Sequence, residues 1–437
     1  MGIARRPGFC MLIGTGALAL TSTPLHAATG AVDPGDTAWV LVCTALVMLM
    51  TPGLGLFYGG MVRRKNVLGT ILQSFIIVGI VGVQWVLFGY SLAFGPDRWH
   101  LIGSLDWIGL RHVGLTPNPD YAATVPHQAF MIFQAMFAII TPALITGAFA
   151  ERMRFKSFFI FMLLWATVVY DPVCHWVWAP NGWLRNLGVL DFAGGTVVHI
   201  CSGVAALSCA LVAGKRRGYG KEDMKPHNLT MTITGAALLW FGWFGFNAGS
   251  ALGANGLATS AFVATNTAAA AAALSWLFVE WWHRGKPTAL GAASGAVAGL
   301  VAITPASGFV GPLAAIAIGA VVSGLCYFAI IMKGRLGYDD SLDVVGVHGV
   351  GGTWGAIATG LFATTAINAA GGNGLFHGGG RLLLVQLVAV LAVYVYSFLM
   401  TTVLLKITCL FSPLRVSHEE EESGLDLSEH GEIGYAL

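Results

Sequence analysis

Two histidines stand in the same short pattern far apart in the chain, Val198-His199-x-x-x-Gly203 and Val347-His348-x-x-x-Gly352. Each lies in an apolar run long enough to cross a bilayer, where an ionisable side chain is a functional candidate by default. A buried imidazole stays neutral more readily than a solvated one, because burial disfavours its charged form. The neutral ring carries one N–H donor and one acceptor nitrogen. Two such rings facing each other could hand along a small neutral molecule that both donates and accepts hydrogen bonds. The plainer reading is that they bond two helices together, as polar residues in membranes do.

The runs around this pair hold almost no charge. Glu151, Glu280 and Lys406 sit near helix ends, which leaves Asp191 as the candidate acid. Cation paths replace the hydration shell with carboxylates or carbonyl rings, so a lane lined by two imidazoles would strand a bare cation. Asp191 opens Asp191-Phe-Ala-Gly-Gly-Thr196, where a carboxylate naturally caps free N–H groups. Its functional alternative is to stabilise a cation at the outer mouth from a distance. Phe137, Trp178 and the Ser250 hydroxyl could receive an ammonium-sized cation, since a cation over an aromatic face gains roughly 0.5–2 kcal/mol. For Trp176, Trp178 and Trp183 the interfacial aromatic belt is the plain alternative.

Such residues need helices in lipid to hold them, and the composition supplies these. Of 437 residues, 56% are hydrophobic and 10% charged, against about 25% charged in soluble domains. Mean hydropathy is +0.73. The formal charge of +2 excludes a nucleic-acid binder and a charged disordered chain. Apolar stretches near 38–61, 67–94, 127–150, 155–174, 191–213, 228–249, 257–282, 288–306, 309–332, 343–365 and 382–410 predict eleven spans, an all-α polytopic membrane protein. Seven Cys without a C-x-x-C pair, mostly in these runs, read as small hydrophobes, so no disulfide, metal or cofactor framework is expected.

Arg5 and Arg6, the apolar stretch Phe9 to Leu20, and Ala27 and Ala28 lay out a cleavable signal over 1–27. With the mature start outside, every Lys and Arg falls on the cytoplasmic side except Arg98, Arg111, Arg185, Arg381 and the two in the signal. The carboxy terminus is then cytoplasmic. Five spans per half would oppose each other in direction, and echoes five spans apart support this inverted repeat. Phe57-Tyr-Gly-Gly60 answers Phe246-Asn-Ala-Gly249, and the His199 pattern answers that of His348. Inverted repeats gather equivalent residues at the midplane, so His199 and His348 should face each other.

Five longer motifs resemble the ammonium transporter family, the Amt, Mep and Rh group, and within it the bacterial Amt branch. They are Phe57-Tyr-Gly-Gly-Met-Val-Arg-Arg-Lys-Asn66, Gly147-Ala-Phe-Ala-Glu-Arg152, Asp191-Phe-Ala-Gly-Gly-Thr-Val-Val-His199, Trp243-Phe-Gly-Phe-Asn-Ala-Gly-Ser250 and Asp339-Asp-Ser-Leu-Asp-Val-Val-Gly-Val-His348. The resemblance implies a homotrimer in the cell's inner membrane, each subunit with its own pore. It implies recruitment of ammonium by Phe137, Trp178 and Ser250, closure by Phe137 and Phe246 as stacked rings, a lane lined by His199 and His348, and support of recruitment or deprotonation by Asp191. Trp178 lies one residue farther from Asp191 than the family pattern has it, which keeps Trp176 and Trp183 as candidates.

The tail from Leu414, with Glu419 to Glu422, Gly424-Leu-Asp426 and His430-Gly-Glu432, would by composition be a solvated face. It is similar to the Amt cytoplasmic tail, which implies an ordered segment coupling subunits and a PII-type signalling protein docking there. The rival to a transporter is an ammonium sensor that signals through a cytoplasmic partner. An enzyme is disfavoured, because no nucleophile and base cluster beside the histidine pair.

Overall fold

Along residues 30–435, the part of the chain that the computed structural model describes, apolar helices follow one another with mostly short links. The segment expected to be a signal lies outside them. Eleven helices correspond to the expected stretches. They are α1 Pro34–Met61, α2 Arg64–Phe94, α3 His127–Phe149, α4 155–178, α5 Gly195–Ala213, α6 Leu229–Gly249, α7 Gly256–Arg284, α8 Ala289–Ile303, α9 Pro312–Leu336, α10 345–362 and α11 Gly380–Phe411. Among the described residues nine helical segments are long and apolar enough to cross a membrane. Helices α8 and α10 are shorter and stand where the other two spans were expected.

Local chemistry sets the boundaries. Asp33 caps α1 by accepting the Asp36 N–H at 2.8 Å, and Pro34 fills the first turn, where its missing donor costs nothing. Asn228 and Asn255 cap α6 and α7 in the same way. Gly285 and Gly337, both left-handed, end α7 and α9.

Glycine decides how the helices meet. A methyl group on Gly235 of α6 would lie 2.3 Å from the Phe57 nitrogen of α1, so these first helices of the two halves pack backbone to backbone. The deeper contact joins the two histidine patterns. A Cβ on Gly203 would meet the Gly349 nitrogen at 2.2 Å, and one on Gly352 would meet the His199 Cβ at 2.9 Å. The glycine four residues after each histidine therefore makes room for the other pattern's histidine region. Both helices also open with a π turn, Gly195–Ile200 in α5 and Val345–Val350 in α10.

One end of the bundle is tied by buried ions. Glu151 accepts from Arg63, from Arg216 at 2.9 Å and from the Asn66 amide at 2.9 Å, while Arg216 also grips Asp339 at 2.9 Å. Burial raises the Glu151 pKa, but Arg216 and Arg63 outweigh it and hold the carboxyl below its ordinary value. Its contribution is full above the ordinary carboxylate pKa and is lost as pH falls through the depressed one.

The tail lies against this end as two short helices, His418–Ser423 and Leu425–His430. Ser417 and Glu420 form a capping box, so the glutamate run is helical. Glu421 accepts from Arg415 at 2.7 Å and from the Arg217 N–H at 2.7 Å, and Asp426 accepts from the N–H groups of Leu68 and Gly69 at the start of α2.

Two consequences are measurable. Gly203→Ala should lower the unfolding midpoint in detergent, followed by tryptophan fluorescence, by the equivalent of about 1–3 kcal/mol of overpacking. Gly324→Ala, in a helix with open space around it, should not; equal behaviour of the two refutes the close crossing. Asp426→Ala removes a helix cap of about 0.5–2 kcal/mol and should raise amide exchange across 417–435 while sparing the spans.

Candidate functional site

At the end of the helices away from the tail, a cavity of about 460 Å³ opens between the loops. Phe137, Trp178, Asp191 and Ser250 all line it, although they come from α3, α4, the loop before α5, and the end of α6. The Trp178 ring stands edge-on to Phe137 at 5.6 Å between centroids. Its indole N–H donates to the Asp191 carbonyl at 2.9 Å, which fixes the ring. Trp176 instead donates to the Leu101 carbonyl at 2.8 Å and packs 5.7 Å from Trp183. Of the three candidates, Trp178 is the one on the cavity wall.

Ser250 donates its hydroxyl to the Phe246 carbonyl at 2.9 Å, which leaves its oxygen lone pairs free to accept. Phe137, on the cavity wall, packs against Phe246 with ring centroids 4.3 Å apart. The rings are tilted by 40°, not stacked face to face as the resemblance implied.

Asp191 does the work of a cap. Its carboxylate accepts the N–H groups of Gly194, Gly195 and Thr196, each at 2.7 Å, and the Thr196 hydroxyl. These donors are the otherwise unpaired N–H groups around the start of α5. The carboxylate thus organises the turn that carries His199.

Below the phenylalanine pair lies a second cavity of about 10 Å³, close to the least that admits one water-sized molecule. His199 and His348 share its wall with Leu54, Phe57, Val198 and Trp243. The histidine Nδ1 atoms approach to 3.3 Å, and the rings are inclined by 26°. One proton fits between two nitrogens, so one ring donates and the other accepts. The two neutral tautomers are then complementary: one outer Nε2 is a bare acceptor, the other an N–H donor. The His199 Nε2 is buried and has no protein partner. Trp243 covers the His199 ring face at 5.5 Å.

Asp191 stands just ahead of α5, in the capping position read from its motif. A further acid, Asp171, lies in the middle of α4, fully buried and accepting from Gln84 of α2 at 2.8 Å. Its other oxygen and the Tyr170 hydroxyl have no protein partner. Asp171-Pro172 within an apolar run was the signal that could have found it. It lines neither cavity. No group of three or more His, Cys, Asp or Glu among the described residues is placed to hold a metal ion.

The chain is similar to known proteins along most of its length. A sequence model of the Ammonium Transporter Family matches residues 38–435. The ammonium transporter of Bacillus subtilis is 57% identical over 402 residues, covering 92% of this chain and 98% of its own. Ammonium transporter Amt1 of Archaeoglobus fulgidus is 48% identical, covering 92% and 99%. Among solved structures, Saccharomyces cerevisiae Mep2 superposes with a TM-score of 0.84 at 38% identity, covering 89% of this chain and 88% of its own. A protein described as a sensor Amt protein gives a TM-score of 0.84 at 31% identity, covering 91% and 98%. Matched by the family model over residues 38–435 and by relatives of this identity and coverage, the chain belongs to the ammonium transporter family.

Proposed function

We propose that the protein gathers ammonium in the aromatic vestibule, strips it of a proton, and conducts ammonia past His199 and His348 into the cytoplasm. One observation carries this reading. Beneath a closed pair of phenylalanines, two bonded imidazoles present an unpartnered Nε2 on an otherwise apolar wall. Ammonium is held outside by ring faces and by the Ser250 oxygen, both of which favour a cation with N–H donors. The lane below offers a cation no carboxylate, so the charged form is disfavoured there and the neutral form is not. Ammonia both donates and accepts hydrogen bonds, which the complementary tautomers match. The proton returns to the outer water or crosses by a separate route.

The mouth that gathers ammonium faces outward in this reading, and the tail end faces the cytoplasm, in keeping with the distribution of Lys and Arg. Family membership and the ordered tail support a place in the inner (plasma) membrane, a homotrimeric assembly and a PII-type partner at the tail surface. A second reading, an ammonium sensor acting through a cytoplasmic partner, is favoured by the likeness to the sensor Amt protein. Signalling that survives a transport-dead His199 variant would select it.

The deciding experiment is an ammonium jump on liposomes of purified protein adsorbed to a solid-supported membrane, with internal pH recorded in parallel. Sustained protein-dependent current means that net charge crosses; a rapid internal pH rise without current means that ammonia passes alone. Absence of both signals above the level of empty liposomes refutes transport. His199→Ala and His348→Ala should each lose ammonium flux or admit potassium, and unchanged flux and selectivity in both would remove the histidines from the lane. Trp178→Leu forfeits about 0.5–2 kcal/mol of cation–aromatic attraction. Its half-saturating ammonium concentration should therefore rise roughly two- to thirtyfold while the maximal rate changes less. An equal loss at every concentration would make this ring structural.

A further inference from the structure

The vestibule that would capture a cation has a cation in its own wall. Three lining residues among those described bear formal charge, Asp120, Arg185 and Asp191. Arg185 sits on the single turn Trp183–Leu187, and its Nη1 donates to the carbonyl of Trp178. The guanidinium is thereby anchored to the backbone of the residue whose ring faces the cavity, and the Trp178 indole is anchored in turn to Asp191.

Electrostatic focusing alone would build the mouth of a cation path from acids. Two acids without Arg185 would leave a formal charge of −2, and such a field draws sodium and potassium as strongly as ammonium. With Arg185 the three charges come to −1. Ring faces and hydrogen-bond acceptors discriminate by chemistry where a bare field does not.

Building on the transport reading, we propose that Arg185 is a specificity-determining residue for capture. Its fixed charge offsets the field of Asp120 and Asp191, so that the aromatic wall and the Ser250 oxygen, not net charge, select the cation. Removing one unit charge at about a side chain's distance in water changes cation occupancy roughly two- to threefold. The effect fades as the screening length falls from about 10 Å at 0.1 M salt to about 3 Å at 1 M.

The test uses full-length protein in liposomes, with ammonium-driven flux measured at low and high ionic strength set by a bulky organic cation, with and without potassium. R185Q removes the charge but keeps a donor for the Trp178 carbonyl; R185K keeps the charge. R185Q should lower the half-saturating ammonium concentration roughly two- to threefold at low ionic strength, and potassium should inhibit it at correspondingly lower concentrations. Both differences should close at high salt, and R185K should show at most a small part of either. Wild-type flux with R185Q indistinguishable from it at low salt overturns this inference alone. So does a weaker capture shared by R185Q and R185K, which would make Arg185 a clamp on Trp178. Absence of wild-type flux overturns the transport reading and this inference with it.

Discussion

At the level of the histidines two helices cross with no side chain between their backbones, and the rest of the site depends on that spacing. Lipid tails are as apolar as leucine, so nothing like the hydrophobic effect in water presses α5 against α10; close packing of small residues does. Gly203 against Gly349 and Gly352 against His199 bring the main chains near enough for the two Nδ1 atoms to lie 3.3 Å apart. Were the helices a methyl group farther apart, each imidazole would need another partner in an apolar wall or would remain unbonded. The π turn that opens each helix serves the same end, since a wider turn places its histidine and still lets the following residues continue as an α-helix.

A single carboxylate links this lane to the mouth above it. Asp191 gathers the N–H groups at the start of α5 and fixes the turn that ends in His199, while its own carbonyl holds the Trp178 indole. Vestibule wall and lane wall therefore share one support eight residues from the histidine. An Asp191 variant that abolishes transport would report on this whole arrangement, and contact with ammonium would not follow from it. The two roles read for Asp191 are compatible, because the residue that caps the turn before α5 also fixes the Trp178 ring through its carbonyl.

What the sequence made legible was what lipid constrains most tightly. Hydropathy located the helices because the hydrocarbon core demands long apolar runs, and the echo of His199 in His348 pointed to two rings that do face each other, as an inverted repeat would bring them. Trp176, Trp178 and Trp183 could not be separated by type or spacing, since their difference lies in ring orientation. Trp176 turns to Leu101 and Trp178 to Asp191. Asp171 was hidden for a related reason: its partner Gln84 is 87 positions away, and one acid among apolar neighbours barely alters a hydropathy profile. The tilt of Phe137 against Phe246 is likewise set by packing across α3 and α6, which no local pattern encodes.

The tail shows how a charged segment acquires order from the helices it crosses. A run of four glutamates repels itself in isolation, yet here arginines and free helix donors meet it on one surface. Arg415 and the Arg217 N–H take Glu421, Arg154 takes Glu420, and the Leu68 and Gly69 N–H groups of α2 take Asp426. Asn66 joins this surface to the buried ions, because its amide nitrogen donates to Glu151 while its oxygen accepts the Leu425 N–H. Glu151 in turn binds Arg216, which holds Asp339 just ahead of α10. Removing one member of such a buried ionic set typically costs about 3–5 kcal/mol, so the links resist independent movement. The tail is thus tied, through Asn66 and through the Arg217 N–H on Glu421, to the loop that follows α5, which holds Arg216, and to the loop that precedes α10, which holds Asp339.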